Sequence, residues 1–341
     1  MKTTGKLHFC IHGAGGLGSV IGGYLAQAGF ETTLIGRAAH VSAIATNGLR
    51  IVGCRGEHLV RERLHAVTHP AEIVRPIDYY ILLTKAKDTA AALVDAQTIA
   101  PQVGCALSLQ NGIGKEQQLI DCFGSTKIIG GSIIESATLS APGIVRNPVT
   151  VPVTAYFGEL GGGTSARAAT LADAFSAAGL GARAVADIEH VLWEKAVQVG
   201  GASAWSASTL VGTPALDYWD GLASHTGASH YVQIAKELLA IYKALGYTPQ
   251  NYFAPLSRLK EIDAASTTEI TALLNTMGRD RQIPGREPVR TSMHEDLIAG
   301  RKTEVDVILK PLLDMADIHG VAVPTVLGAY RIIKTLESYM H

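Results

Sequence analysis

The chain has little from which to build extracellular or metal-centred chemistry. Its 341 residues hold only four cysteines, Cys10, Cys54, Cys105 and Cys122, and no two of them form a C-x-x-C pair. That spacing argues against a disulfide framework and leaves buried free thiols in a reducing compartment as the expectation. The twelve histidines show no metal-ligand spacing, so no metal is expected and His225, His230 and His294 receive no role. Charge of neither sign dominates, with 29 Lys and Arg against 30 Asp and Glu. Such a balance offers no basic field for nucleic acid or for an anionic membrane surface. No run reaches the roughly 18 apolar residues of a membrane span. The opening MKTTGKLHFCIHG passes straight into a strand-like run, without the charged-then-apolar order of an export signal. The expectation is a soluble cytoplasmic protein that binds neither nucleic acid nor membrane.

What the chain does have is apolar content, 47% hydrophobic against 17% charged, over a length that favours two domains. The first half alternates short apolar runs with helical patterns, as a parallel α/β sheet requires. Strands are expected at 7–13, 31–37, 78–85, 104–112 and 127–134, with helices at 17–28 and through the 90s. GIVRNPVTVPVTAYFGEL, rich in β-formers, proline and glycine, suits antiparallel strands closing one edge. A Gly-rich loop, one more helix and a strand at 182–187 follow. From Ile188 onward the pattern is helical, apart from turn-like 211–221 and a loop at 275–290 that is either a solvated connector or a lid. The domain boundary is placed at Asp187, giving domains 1–187 and 188–341.

The most specific local pattern is Gly13-Ala14-Gly15-Gly16-Leu17-Gly18, a G-x-G-x-x-G that follows a strand and opens a helix. Gly13 permits the tight turn, Gly15 lets backbone approach a pyrophosphate, and Gly18 allows close helix–strand packing, with the helix N-terminus facing the anion. This is the fingerprint of a Rossmann-type, doubly wound dinucleotide-binding domain. The second strand ends Leu34-Ile35-Gly36-Arg37, without the acid that would bond ribose hydroxyls in an NAD site. Arg37 suits a 2′-phosphate and hence NADP(H); its plainer reading is a surface arginine in a loop.

VLWEKAVQVGGASAW, Val191 to Trp205, places a lysine in an apolar stripe. At about 100° per residue, Ile188, Leu192, Val199, Ala202 and Ser206 share a face with Lys195 near its centre. Lys195 either snorkels its ammonium to water or donates a proton to an alkoxide in a desolvated cleft. Further on, Thr303-Glu304-Val305-Asp306 looks like a helix start with Thr303 as N-cap and Asp306 in a capping box. Glu304 then stands in the first turn, where an acid complements the helix dipole or steadies a catalytic group. Trp205 is either core or a pocket wall.

Together these pieces resemble the ketopantoate reductase (2-dehydropantoate 2-reductase) family through nearly the whole chain. The glycine motif and Arg37 look like that family's NADP site. Thr84-Lys85-Ala86 resembles its T-K-A element, and Gln110-Asn111-Gly112 its Q/H-N-G turn. Trp193-Glu194-Lys195 resembles W-x-K, while Thr291-Ser292-Met293 and Gly300 to Asp306 resemble its S-S-M and G-R-x-T-E-I-D words. The resemblance implies a Rossmann domain followed by an all-helical, 6-phosphogluconate-dehydrogenase-like domain that also dimerises. It implies Lys195 as general acid, Lys85 and Asn111 at the cofactor, Asn111 and Ser292 at the substrate, and Glu304 orienting either lysine or substrate. The implied reaction is NADPH-dependent reduction of a small 2-oxo acid, ketopantoate first. One departure stands out: the family continues K-x-x-x-N-x-x-x-N, and here the two asparagine positions are Val199 and Ser203. Losing two amide partners favours a less polar substrate. A different oxo or hydroxy acid, worked in either direction, therefore stays open, as does a non-catalytic NADP sensor.

Overall fold

A computed structural model describes residues 7–213 and 215–340. It divides into two compact units, one up to Gln110 and from Gly114 to Leu192, the other comprising Asn111–Ile113 and the chain from Trp193 onward.

In the first unit the apolar runs become parallel strands. β1 (His8–His12), α1 (Gly16–Gln27), β2 (Glu31–Ile35) and α2 (Ala38–Asn47) open the chain. A hairpin of β3 (Leu49–Gly53) and β4 (Gly56–Val60) precedes β5 (Leu64–Val67), β6 (Ile77–Leu82), α3 (Thr89–Ala96), β7 (Val103–Ser108) and α4 (Lys115–Phe123). Five of these strands pair in the order β5-β2-β1-β6-β7, all parallel. All five residues of β1 are buried, the continuous apolar pattern of a parallel sheet covered on both faces. On one face Phe9 stacks on Tyr79 and meets Phe30 edge-on, both at 5.4 Å. On the other, Cys10 and Tyr80 pack with Phe123 of α4.

β8 (Gly130–Ile133), β9 (Thr138–Ala141), β10 (Ile144–Asn147), β11 (Ala155–Gly158), α5 (Ala166–Ala177) and β12 (Ala182–Ala184) complete the unit. The expectation that strands here close one edge of the parallel sheet is corrected. They build two further sheets, β4-β3-β10-β9 and β12-β11-β8, in which β10 runs parallel to β3 and β11 parallel to β12. Strand partners are nonlocal, and here side chains hold them. Arg55, beside the β3–β4 turn, donates to Asn147 Oδ1 at 2.6 Å and to both oxygens of Glu135. Asn147 in turn donates to Glu135 and to the Ser136 carbonyl. The thiols also depart from expectation. Cys10 and Cys105 are buried, Cys122 is half-buried, but Cys54 is exposed because it stands at the tip of the β3–β4 hairpin. Burial pushes the Cys105 thiol up to about 12.

The second unit is helical, centred on α6 (Ile188–Thr209). Around it lie α7 (Tyr218–Ala223), α8 (His225–Ala244), α9 (Leu259–Ala264), α10 (Thr267–Asp280), α11 (Ser292–Ile298), α12 (Val305–Ile308), α13 (Lys310–Ile318) and α14 (Pro324–Glu337). Small residues let neighbours approach α6: a Cβ on Gly200 would come within 2.8 Å of Leu312. Glu237 of α8 accepts from Thr325 N and Val326 N, placing a carboxylate on the positive N-terminus of α14. The expected loop at 275–290 shrinks to 281–290, because α10, capped reciprocally by Ser266 and Glu269, continues to Asp280. The turn-like 211–221 likewise contains the start of α7, capped by Asp217. No helix among the described residues is long and apolar enough to cross a membrane.

Candidate active site

β1 runs into Gly13, whose φ is +118°, and a Cβ there would lie 2.4 Å from the Leu83 carbonyl carbon. Only glycine turns this tightly across the end of β6. The amides of Gly13 and Ala14 both donate to Ile35 O, at 3.1 and 2.9 Å, fastening the turn to the end of β2. A Cβ on Gly18 would sit 2.1 Å from Gly13 O, so α1 can lie against the strand only without one. A Cβ on Gly15 would meet nothing within 4 Å, leaving room for a ligand phosphate. Gly15, the N-cap, gives α1 no side-chain cap, and the first turn (Gly16, Leu17, Gly18) carries no acid. These residues fit a dinucleotide pyrophosphate by backbone donation and helix dipole. Arg37 is exposed at the N-cap of α2. Among the described residues its guanidinium makes no hydrogen bond or ion pair. Behind this loop, His40 Nδ1 accepts from Gly143 N at 2.9 Å, so Nε2 carries the proton to Ser19 Oγ, also at 2.9 Å. Burial lowers the His40 pKa and keeps the ring neutral.

The chain brings the Thr84-Lys85 turn beside the glycine loop, since the Gly13 Cβ position lies 2.5 Å from Thr84 N. Lys85 is exposed there. Gln110, given no role from sequence, holds the turn. Its Nε2 donates to Thr84 O and Thr89 Oγ1, both at 2.7 Å, while its Oε1 accepts from Ser108 Oγ. Lys115 Nζ in turn donates to Gln110 O at 2.8 Å. Burial lowers the pKa of that lysine.

In the second unit, Asn111–Ile113 packs against the helical core. Ile113 joins its apolar cluster, and a Cβ on Gly112 would meet Val307 at 2.6 Å. Val307 lies in the first turn of the helix that Glu304 opens, so Asn111 and Glu304 approach a common region. Glu304, half-buried, is itself the N-cap of α12, which corrects the expected cap at Thr303. Thr303 Oγ1 does accept from Val305 N, but it donates to Glu337 at 2.6 Å. Asp306 forms no capping box because Lys334 and Tyr330 hold its carboxylate.

Lys195 is 6% exposed on α6, with Val199 half-buried and Ser203 buried further along. Near the far end of the same face, Ser206 Oγ meets Thr291 Oγ1 at 2.8 Å. Thr291 caps α11, whose first residue is Ser292, exposed. Trp205 is core, fully buried and edge-on to Tyr218 and Tyr231. Glu194, given no role from sequence, is fully buried. Its carboxylate accepts from Gln250 N at 2.6 Å, Tyr252 N at 2.8 Å and Tyr242 Oη at 3.4 Å. Burial, then the charge of Glu194, drives the Tyr242 pKa far upward. The only advance signal was that α6 carries apolar or small residues all round, which marks a helix without a solvent face.

Backbone donors gathered for a pyrophosphate, together with a desolvated ammonium, are what a nicotinamide-dependent oxidoreductase needs, and that is the class the fold defines. Residues 9–162 match the family model described as ketopantoate reductase PanE/ApbA, and residues 187–337 match its C-terminal counterpart. The chain belongs to the ketopantoate reductase family. A 2-dehydropantoate 2-reductase of Halobacterium salinarum is 28% identical over 320 residues, covering 93% of this chain and 94% of its own. The crystal structure of 2-dehydropantoate 2-reductase from Methylococcus capsulatus aligns over 97% of both chains, with TM-score 0.72 and 25% identity. A ternary structure of D-mandelate dehydrogenase with NADH and anilino(oxo)acetate covers 97% of this chain and 99% of its own, with TM-score 0.73 and 24% identity. That second likeness establishes fold alone.

Proposed function

We propose that the protein reduces 2-dehydropantoate (ketopantoate) to pantoate with NADPH. The observation that carries this reading is Lys195, an ammonium buried in the central helix of a chain matched by its family's models at both ends. When bound, the reduced nicotinamide supplies a hydride to the keto carbon. Lys195 gives its proton to the carbonyl oxygen as charge develops there, and its burial makes that donation effective by excluding water. Glu304 orients the lysine or the substrate, and Asn111 and Ser292 hold polar groups of the oxo acid. Backbone of Gly13 to Gly18 receives the pyrophosphate, Lys85 approaches the cofactor, and Arg37 pairs with the 2′-phosphate. We take residues 1–187 as the nucleotide-binding domain and 188–341 as the domain that supplies the proton donor.

The preference for NADPH rests on Arg37 having no competing acid. Arg37→Asp is expected to raise the KM for NADPH about tenfold or more and to leave turnover with NADH within about threefold, because a carboxylate repels the 2′-phosphate. Parallel titrations with both cofactors check this. An unchanged ratio removes Arg37 from the site.

A second reading, a less polar 2-oxo acid, is favoured by Val199 and Ser203, where amides would serve a polar substrate. NADPH oxidation with a panel of ketopantoate and branched, aromatic and straight-chain 2-oxo acids separates the two. The first reading expects ketopantoate to have the highest kcat/KM. Another acid ahead by about tenfold, or roughly 1.4 kcal/mol, means that these two positions have reshaped the pocket. Oxidation of NADPH with none of them means a sensor.

A further inference from the structure

Glu304, the carboxylate assigned to orienting lysine or substrate, opens a helix that cannot hold itself. α12 has four residues, too few for its own hydrogen bonds to offset the cost of forming a first turn. Its start is therefore fixed by what packs around it. Val305 and Ile308 anchor one side in the apolar core of the second unit. The polar residues flanking Glu304 both lead to α14. Thr303 N and Thr303 Oγ1 donate to the same oxygen of Glu337, Oε1, at 2.7 and 2.6 Å. The other oxygen, Oε2, accepts from Lys334 Nζ at 3.0 Å. Lys334 also donates to Asp306 at 2.8 Å, and the second oxygen of Asp306 accepts from Tyr330.

Glu337 is 7% exposed and is the last residue of α14, where the negative end of the helix dipole disfavours a carboxylate. Burial adds to that cost. An acid so placed is explained by what it holds. Two hydrogen bonds from one residue to one oxygen fix Thr303 in rotation as well as in position. Thr303 Oγ1 accepts in turn from Val305 N at 3.1 Å, so the backbone is tied on both sides of Glu304. Peptide units are rigid, and with both neighbours held the direction in which the Glu304 side chain leaves the chain is set. We infer that Glu337 is a positioning residue for the reaction, acting through Thr303 on Glu304. The inference rests on the role proposed for Glu304 and names the part of the chain that serves it, the C-terminal helix.

The test reads kcat/KM with NADPH and whichever 2-oxo acid the wild type reduces fastest, so it does not depend on that acid being ketopantoate. Glu337→Met is expected to lower kcat/KM for the oxo acid about tenfold or more, since a displaced group loses its orientation, and to leave the dissociation constant for NADPH within about twofold. Glu337→Gln, which keeps an acceptor for Thr303, should recover to within about threefold of wild type. In a Glu304→Gln background, Glu337→Met should cost less than about twofold more, because the group it positions is already gone. Glu237→Met unpins the opposite end of α14 and controls for mere loosening of that helix. It should lower Tm yet keep kcat/KM within about threefold. Should Glu337→Met fail to fold, Thr303→Val, which removes the hydroxyl alone, replaces it, with a loss of about threefold or more expected. A wild-type-like Glu337→Met, an undiminished loss in the Glu304→Gln background, or an equal loss in Glu237→Met overturns the inference and leaves the reductase reading standing. A Glu304→Gln variant as active as wild type removes the role of Glu304, and this inference with it. A wild type that oxidises NADPH with no 2-oxo acid removes the reductase reading as well.

Discussion

Lys195→Ala is expected to lower kcat by on the order of 10²–10⁴, the span that a positioned general acid contributes, while the dissociation constant for NADPH is expected to stay within about twofold. The split follows from where each function is housed. Every residue assigned to the pyrophosphate and 2′-phosphate belongs to the first unit, and Lys195 to the second. Removing its side chain would delete the proposed proton donor but none of the groups assigned to the phosphates. Truncating a residue that is 6% exposed also leaves a void, so the thermal midpoint must be measured beside the rate. Steady-state turnover, cofactor fluorescence titration and a melting curve together decide the point. A variant within threefold of wild-type turnover takes the proton-donor role away from Lys195, whatever its stability.

The second large effect is on stability. Glu194→Ala is expected to cost about 2–4 kcal/mol, because two backbone amides and the Tyr242 hydroxyl lose a buried, charged acceptor at once. The carboxylate ties residues 250–252, which belong to no helix, onto α6. For a chain of this size that loss is a fall of about 3–6 °C in Tm. Glu194→Gln keeps one oxygen acceptor and should recover part of the difference. Calorimetry of the three proteins checks the ordering, and an alanine variant that melts with the wild type would mean that water replaces the carboxylate at no cost.

The glycine loop was legible because its physics is local. Gly13, Gly15 and Gly18 are dictated by a positive φ, an open approach and a backbone contact, all within six residues of chain. The parallel sheet was legible for the same reason, since β1 and β6 announce themselves as continuous apolar runs. Pairing was not. That β10 lies along β3 depends on Arg55, Glu135 and Asn147, which are far apart in sequence. The hairpin β3–β4 escaped notice although Leu49, Arg50 and Ile51 alternate between buried and exposed, because each of its strands is only five residues long. In the helical unit, Lys195 was conspicuous as a charge in an apolar stripe. Glu194 was not, because on a helix buried along most of its length a polar residue has no solvent face to mark its surroundings. Thr303 was read as the cap from its side chain alone; its hydroxyl does accept from Val305 N, but it also donates to the distant Glu337, and the helix begins one residue later, after Glu304.

The uneven burial of the four thiols makes this chain selective toward electrophiles. Cys10 and Cys105 are locked in the central sheet, with burial holding their thiols protonated, and Cys122 lends its proton to the Leu93 carbonyl. Cys54 alone is exposed, on a hairpin tip, and although burial raises its thiol as well and its Sγ donates to Asn147 Oδ1, it is the one thiol a reagent reaches from solvent. A small alkylating dye thus meets one position first, which makes the natural protein its own attachment point for a fluorophore or a spin label. Conversely, oxidative ageing of a stored sample would begin there, as dimers linked through Cys54, well before the sheet is touched.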